Sequence, residues 1–524
     1  MTGVRLLDLA ALGAAVWLGA ALLFWSGWSA SLLMRPEHVF LVLLGIVALR
    51  LFVKPVPVPA LRPRRVLAVA TVAYAVAFSF ITVTRHFAFR THALDLAYYV
   101  QLTWNLARGT GPRVSLPEMH AWGDHLSPIM YLFVPMFWFA PGAAALLIGQ
   151  SVAMAAGAVA VFEIGRRRLG DERPAAAFAV LYLVNPSLHG INVRDFHAAA
   201  IAIPLLLAAL CFAEAGRWWL FAAATLLTLA CREDAALPVI GMGAWLALGR
   251  RRWLAGLVTV GGALALLAVD LAWVIPHFRH EAYTHLWRYS AYGGSLGEIA
   301  GSLILHPGHP LGALVTAGRP IYLALMLAPL GFLPLLGGWD LVGALPALAE
   351  NLLSSDPVLF NHRTQYQAFV LPFLMLAAVT GYARLSTWRA GRPRAAIVVS
   401  AFFVSLALTS PDVNDLAVAR FWPDADTRAA FAALARVPPA ASVSAQDRYV
   451  PHLGLREFVS VFPVGLDRAD YVLLNERTYP WRSLPGVTLE RRGDTIVIAT
   501  PEPREFHYTV AAHVGPHLLL RRLS

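Results

Sequence analysis

The sequence predicts an all-α polytopic membrane protein of about thirteen transmembrane helices, followed by a small C-terminal extracytoplasmic α/β domain. Three features predict it: long uncharged apolar runs, arginine clusters in the short loops between them, and a terminal segment of different character. Of the 524 residues, 58% are hydrophobic and only 14% are charged, with a mean hydropathy of +0.60. Soluble domains carry about 25% charged residues, so a conventional soluble enzyme is excluded. Leu9–Met34 runs 26 residues without a charge, Val66–Thr84 runs 19, and Pro320–Trp339 runs 20. Stretches of about 20 apolar residues match the hydrocarbon thickness of a bilayer.

The net charge of +11 does not mark a nucleic-acid binder, because of where the arginines sit. They gather at Arg50–Arg65, Arg166–Arg173, Arg250–Arg252 and Arg384–Arg394, in short loops between apolar segments. That is the positive-inside pattern. Placing these loops inside puts spans at 9–30, 37–53, 66–85, 142–164, 174–190, 198–213, 218–231, 236–249, 254–275, 320–337, 340–353, 367–384 and 395–410. The N-terminus is then cytoplasmic and the C-terminus extracytoplasmic. The first apolar run is too long for the core of a cleaved signal peptide and reads as a retained span. The uncharged run Leu126–Phe162 breaks at Pro141-Gly142, so 126–140 reads as an interfacial or re-entrant helix before the true crossing. Cys211 and Cys231 fall near opposite faces on this path, which argues against a disulfide.

The expected domains are 1–410, the membrane domain with its outer loop 85–125, and 411–524, the outer domain. In the latter, Asp426–Arg436 reads as a helix, and Ser442–Ala445 and Asp470–Asn475 as strands. Val487–Thr500 alternates around Arg492-Gly493-Asp494 as a hairpin. All 17 histidines fall on the outer side of this topology, which directs attention there for chemistry.

Four outward clusters carry ionisable or polar groups that are costly beside a membrane. Asp95, Tyr98, Tyr99 and Gln101 share a short segment; Asp95 reads as a general base or metal ligand, or as a helix cap beside an aromatic belt. Asp124 and His125 are adjacent and could ligate a cation together, or cap a helix. The segment Asn185–His197 holds Arg194, Asp195 and His197 in a polar turn, either functional or satisfying its own backbone. Arg232, Glu233 and Asp234 close a span, as an anion site or a self-compensating cap. Asn351 and His362 gather ahead of a late span, and His277, His280 and His285 read as surface histidines. No phosphate-binding Walker loop, dinucleotide fingerprint, His-Glu-x-x-His or Gly-x-Ser-x-Gly is present, so ATP-driven transport within this chain is not expected.

Taken in order, LDLAYYVQLTWNLARG, WGDHLSPIMYLFVP, LYLVNPSLHGINVRDFH, the CRED segment, VPPAASVSAQDRYVPHL and ADYVLLN resemble the bacterial membrane family catalogued as domain of unknown function 2079. That family is similar in layout to the C-type (GT-C) glycosyltransferases. The resemblance implies a bacterial plasma-membrane enzyme that moves a sugar from a polyprenyl-phosphate donor to a cell-envelope acceptor. Asp95 matches the acidic residue of the family's first outer loop and would be the base or a metal ligand. Asp124 and His125 would assist or complete a tentative Mg or Mn site. Tyr98, Gln101, Arg194, Asp195, His197, Arg232, Glu233, Asp234, Asn351 and His362 would line the substrate path. One departure is plain: Leu94 and Leu96 flank Asp95, so the frequent paired acid is absent. The alternatives are a lipid or solute transporter or flippase, and a non-catalytic envelope assembly protein; membrane lipids are partners in every case and nucleic acid in none.

Overall fold

The computed structural model describes residues 3–25, 34–55, 61–316, 318–388, 392–477, 486–501 and 504–523. The end of the expected span 9–30 and the basic residue Arg389 lie outside them. The chain divides into two compact units: residues 1–80, 122–129 and 150–414, and residues 81–121, 130–149 and 415–524.

The first unit is helical and carries the membrane-crossing character. Among the described residues, six helices are long and apolar enough to span: Gly3–Phe24, Pro36–Val53, Pro63–Phe87, Ala143–Leu169, Glu172–Val193 and Trp253–Arg279. Two bent pairs, 308–330 and 395–416, raise the number to eight. This is fewer than the thirteen expected, and the reason is length rather than polarity. The expected span 218–231 is a helix of 12 residues, Trp218–Leu229, which rises about 18 Å against a core of about 30 Å. The run 320–337 breaks at Gly331, where φ is +59°, and 340–353 is a 3-10 turn, Gly338–Ala344, followed by the helix Leu345–Leu353. Within the last two segments, proline and glycine interrupt the helix.

One ion network ties this bundle together. Arg168, at the end of Ala143–Leu169, donates to Glu214 at 2.7 Å and to Asp340 at 2.5 Å, and also meets Thr380. Asp340 further accepts from Trp245 Nε1 at 2.7 Å and from the Thr380 hydroxyl at 2.6 Å. Glu214 and Asp340 are nearly fully buried, so each lone pair needs the partner it has. Cys211 and Cys231 are free thiols, as expected.

In the second unit a mixed sheet dominates. Its strands are β3 (Val443–Ala445), β4 (Val459–Val461), β5 (Tyr471–Asn475), β6 (Thr488–Arg492), β7 (Thr495–Ala499), β8 (Glu505–Val514) and β9 (His517–Arg522), with β1 (Arg113–Ser115) and β2 (Glu118–His120) forming a separate hairpin. The order in the large sheet is β4-β3-β5-β9-β8-β7-β6. Strand β3 runs parallel to β4 and β5, and the remaining pairs are antiparallel. The expected hairpin forms with Arg492 opposite Thr495, and Gly493 takes the left-handed φ of +66° that the turn needs. The helix Ala425–Leu434 covers the sheet.

Residues of the outer loop share this core. Phe89, Ala93, Ala97 and Leu116 pack with Ala430, Val443, Tyr449, Val450 and Leu473. Gln101, fully buried, accepts from the Ser115 amide at 2.7 Å and donates to the carbonyl of Arg456 at 3.0 Å. Loop 85–121 is therefore built into the same hydrophobic body as the terminal strands.

Candidate functional site

A polar centre in the first unit forms where three chain segments meet. The first is the turn 122–127, after the 3-10 turn Ala121–Gly123. Gly123 is required there: a Cβ would lie 2.9 Å from the Arg279 backbone nitrogen. This close approach lets the Arg279 guanidinium donate to the Gly123 carbonyl at 3.3 Å and packs Trp122 edge-on against Phe278. The second segment follows the helix Ile275–Arg279, which stops at His280 in the left-handed region, φ +64°. It continues into the 3-10 helix Thr284–Tyr289, which carries His285 and Arg288. The third is the turn Arg232–Asp234 after Trp218–Leu229.

Together these bring Asp124, His125 and His285 close enough that one ligand atom of each lies within 4.8 Å of the others. The imidazoles of His125 and His285 stack face to face, centroids 4.9 Å apart. His125 Nδ1 bonds Glu233 Oε1 at 2.8 Å, and the same oxygen accepts from the Tyr283 hydroxyl at 3.1 Å. The Leu126 amide donates to the other oxygen, Oε2, at 3.2 Å. Glu233 is thus fully engaged and fixes the ring, which leaves Nε2 of His125 as its outward nitrogen. His285 Nε2 lies 3.7 Å from Asp124 Oδ1 and is buried with no hydrogen-bond partner.

The electrostatics follow from this packing. Burial would raise the Asp124 carboxyl, but His285, His125 and Arg279 hold it down to about 2. Burial likewise opposes the charge on Glu233, yet His125 and Arg232 keep it below the usual carboxylate range. For His125, burial works against protonation and loses to Glu233, so its pKa rises.

Of the residues singled out in the sequence, Asp124, His125 and Glu233 come together here. Arg232 and Asp234 flank them as a buried, two-point ion pair. Arg232 also lies over the rings of Tyr366 and Phe369, 5.0 and 5.4 Å from their centroids. The expected surface role of His285 is corrected: it is a half-buried member of the centre. Its approach to Asp124 crosses about 160 residues of chain, which no local spacing reveals.

The remaining residues sit elsewhere. Asp95 is partly buried in a π-helical turn, Ala93–Ala97, of the second unit. On the short segment 93–107, Asp95, Tyr98, Tyr99 and Gln101 do not form a polar cluster open to a substrate. Tyr98, Tyr99 and Gln101 are buried, with the Tyr98 hydroxyl donating to the Ala121 carbonyl at 3.0 Å, because this helix serves the core of its unit. In the first unit, Gln150 clamps the turn 192–197 by donating to the Asp195 carbonyl and accepting from the His197 amide, both at 2.9 Å. Asp195 and His197 are buried there and Arg194 is exposed. Asn351 donates to Tyr322 and Gln367, and its Oδ1 is buried without a partner. Burial and the neighbouring Arg363 push His362 down to about 4, so it is neutral at pH 7.

Comparison with known proteins places the chain. Residues 85–491, more than half of the sequence, match the family described as Predicted membrane protein (DUF2079). The chain belongs to this family. It is an integral, multi-pass membrane protein. No curated protein matches it. Two solved structures are similar to it, ArnT from Cupriavidus metallidurans bound to undecaprenyl phosphate and the same protein in the apo state, at 14% and 13% identity. The similarity covers 87% of this chain and 99% and 98% of theirs, each with a TM-score of 0.49.

Proposed function

We propose that this DUF2079 protein is an integral-membrane glycosyltransferase that moves a sugar from a polyprenyl-phosphate donor to an acceptor outside the cytoplasm. The observation that carries the reading is the Asp124–His125–His285 centre: a half-buried group of ionisable side chains whose hydrogen-bonding capacity is only partly spent internally. The resemblance to GT-C enzymes supplies the reaction class. The arginine-rich loops supply the orientation, N-terminus inside, with residues 411–524 outside to guide the acceptor.

The residues fit a divalent cation. His285 Nε2 is a buried nitrogen with no hydrogen bond, its nearest ionic neighbour being Asp124 Oδ1 at 3.7 Å, and Glu233 stands behind His125 as the outer carboxylate that commonly fixes a ligating imidazole. Two imidazoles and one carboxylate suit manganese or zinc better than magnesium. Held there, the ion would supply Lewis-acid stabilisation for the departing phosphate. In the transfer, the acceptor hydroxyl attacks the anomeric carbon, the carbon–oxygen bond to phosphate breaks, and the hydroxyl proton passes to a base. Asp95 takes that role on the family layout. Arg194, exposed on its turn, is the guanidinium that would meet the donor phosphate; Arg232, expected in the same role, is buried and spent on Asp234. Glu233 keeps His125 oriented, and the Arg232–Asp234 pair holds a charged wall beside it.

The test is transfer from radiolabelled polyprenyl-phosphate sugars by purified protein in nanodiscs, with and without manganese. Wild-type turnover that falls about 100-fold or more in Asp95→Asn matches loss of a general base. Full transfer by that variant removes Asp95 from the role. A protein that binds polyprenyl phosphate yet releases no sugar from any donor refutes the transferase reading.

A second reading, transport, draws on Asp270. It is 3% exposed in a π-helical turn of the otherwise apolar Trp253–Arg279, and the apolar pair Ala395–Leu408 and Ser410–Leu416 is bent by 53°. Broken helices with a buried acid occur at transporter sites. Lipid-flipping assays in the same discs separate the two readings.

A further inference from the structure

The second unit holds a cavity of about 790 Å³ that the proposed reaction does not use. Five arginines line it, Arg85, Arg90, Arg420, Arg428 and Arg448, and Asp424 is the one acid among its lining residues. Asp424 is already committed, capping the helix Ala425–Leu434 by accepting from the Thr427 amide at 2.7 Å. Two further carboxylates stand against lining residues: Asp447 meets His92 at 2.6 Å, and Asp415 is shared, Arg85 donating to one oxygen at 2.9 Å and Arg90 to the other at 2.7 Å. Two guanidinium groups therefore divide one negative charge. Burial lowers the Arg90 pKa, as do the like charges of Arg85 and Arg420, against the pull of Asp415. Arg85 Nε is buried without a hydrogen-bond partner.

Membrane topology does not explain this concentration of charge. The helix Pro63–Phe87 has Arg64 and Arg65 in its first turn and Arg85 in its last. A spanning helix has one cytoplasmic end, so whichever way it crosses, the positive-inside rule accounts for one cluster and not the other. The rim is aromatic and exposed, Phe87 at 50% and Trp422 at 70%, the character of side chains that sit at a membrane–water boundary. Guanidinium groups converging on a cavity match the geometry and charge of phosphate oxygens.

We propose that this cavity is a binding site for a phosphate- or pyrophosphate-bearing group. Phosphate of this kind reaches it from either of two sources, the headgroup of an anionic lipid at the aromatic rim or a free phosphate in water. The excess of guanidinium over carboxylate groups around the cavity provides the affinity, and Trp422 provides a contact for an acyl chain.

The test uses the full chain in phosphatidylcholine nanodiscs at low salt, with inorganic pyrophosphate titrated in one arm and phosphatidic acid included in the discs in the other. Arg428→Gln and Arg448→Gln are the variants, made separately and together. Both side chains are exposed, so folding should survive, and melting curves check it. Each substitution is expected to weaken binding about tenfold, the effect of losing a charge-assisted hydrogen bond. Arg521→Gln, an exposed arginine on β9 outside the cavity, should leave binding unchanged. Loss confined to the phosphatidic-acid arm, with Trp422→Ala also weakening that arm, assigns the lipid source. Loss in the pyrophosphate arm assigns the free one. Wild-type affinity for both probes in the double variant, or an equal loss in Arg521→Gln, overturns the proposal.

Discussion

Two ionic clusters in the first unit, one buried and one half-buried, lie at opposite ends of one helical hairpin, Ala198–Glu214 and Trp218–Leu229. At the Glu214 end, Arg168, Glu214, Asp340, Thr380 and Trp245 close on one another, and every carboxylate in the group has its donors. At the other end, Glu233 is equally saturated, but Asp124, His125 and His285 are not: two imidazoles stack beside a carboxylate, and His285 Nε2 has no hydrogen-bond partner. A saturated network offers nothing to a ligand and reads as architecture. A network with donors and acceptors left over, held in place by saturated neighbours, is built to receive something.

The comparison breaks most sharply at Arg168. Arg168→Met leaves buried Asp340 without its charged partner and Glu214 with only Arg250, 3.4 Å away, and should destabilise the protein by about 3–5 kcal/mol, read from unfolding in detergent. Next comes Glu233→Gln, which keeps the shape of the second cluster but weakens its hold on His125. Manganese or zinc affinity should fall about 10- to 100-fold, measured by calorimetry, with a much smaller change in melting temperature.

The pH dependence sharpens the contrast further. Asp124 is held at about 2 against an ordinary 3.8, so its contribution to stability is present above 3.8 and fades as pH falls towards 2. The lowered Glu233 behaves the same way below its ordinary 4.5. His125 is raised above 6.5, so its contribution is full below that value and is lost as pH rises through the folded-state pKa. The stability difference between wild type and His125→Gln should therefore be widest between pH 4.5 and 6.5 and narrow on both sides. Cation binding should strengthen as pH rises and His125 loses its proton, and Glu233→Gln should move that rise to lower pH. Melting and calorimetry across pH report both, and a flat profile would contradict the assignment. The smallest effect belongs to Thr380→Val, where one hydroxyl bond to Asp340 is lost and about 1 kcal/mol is expected by unfolding.

Much of this was legible in the chain before its structure, for identifiable reasons. The apolar runs mark the six helices long enough to cross but over-read several shorter ones, and the Pro141-Gly142 break separates the short 3-10 and helical pieces Pro128–Phe133 and Val134–Phe139 from the long helix Ala143–Leu169. Alternation around Arg492-Gly493-Asp494 gives the β6–β7 hairpin because that signal is local. Asp124 and His125 stand out because they are adjacent. What periodicity does not carry is contact across the chain. His285 looks like one of three surface histidines until Gly123 lets the 122–125 turn settle against Arg279. The Arg168–Asp340 pair joins residues 172 positions apart. Phe89, Ala93 and Ala97 read as an outer loop, yet their small and aromatic side chains fill a core completed by strands more than 300 residues later.

The most direct test of the central claim is metal binding by His285→Ala beside wild type, by calorimetry on metal-stripped protein in nanodiscs. The claim predicts one manganese or zinc ion per wild-type chain. It also predicts loss of that binding in the variant, whose metal-free stability falls by only about 1–2 kcal/mol, the loss of one half-buried contact to Asp124, well short of Arg168→Met. Equal binding by wild type and variant, or a variant that unfolds as readily as Arg168→Met, would show instead that His285 is part of the scaffold.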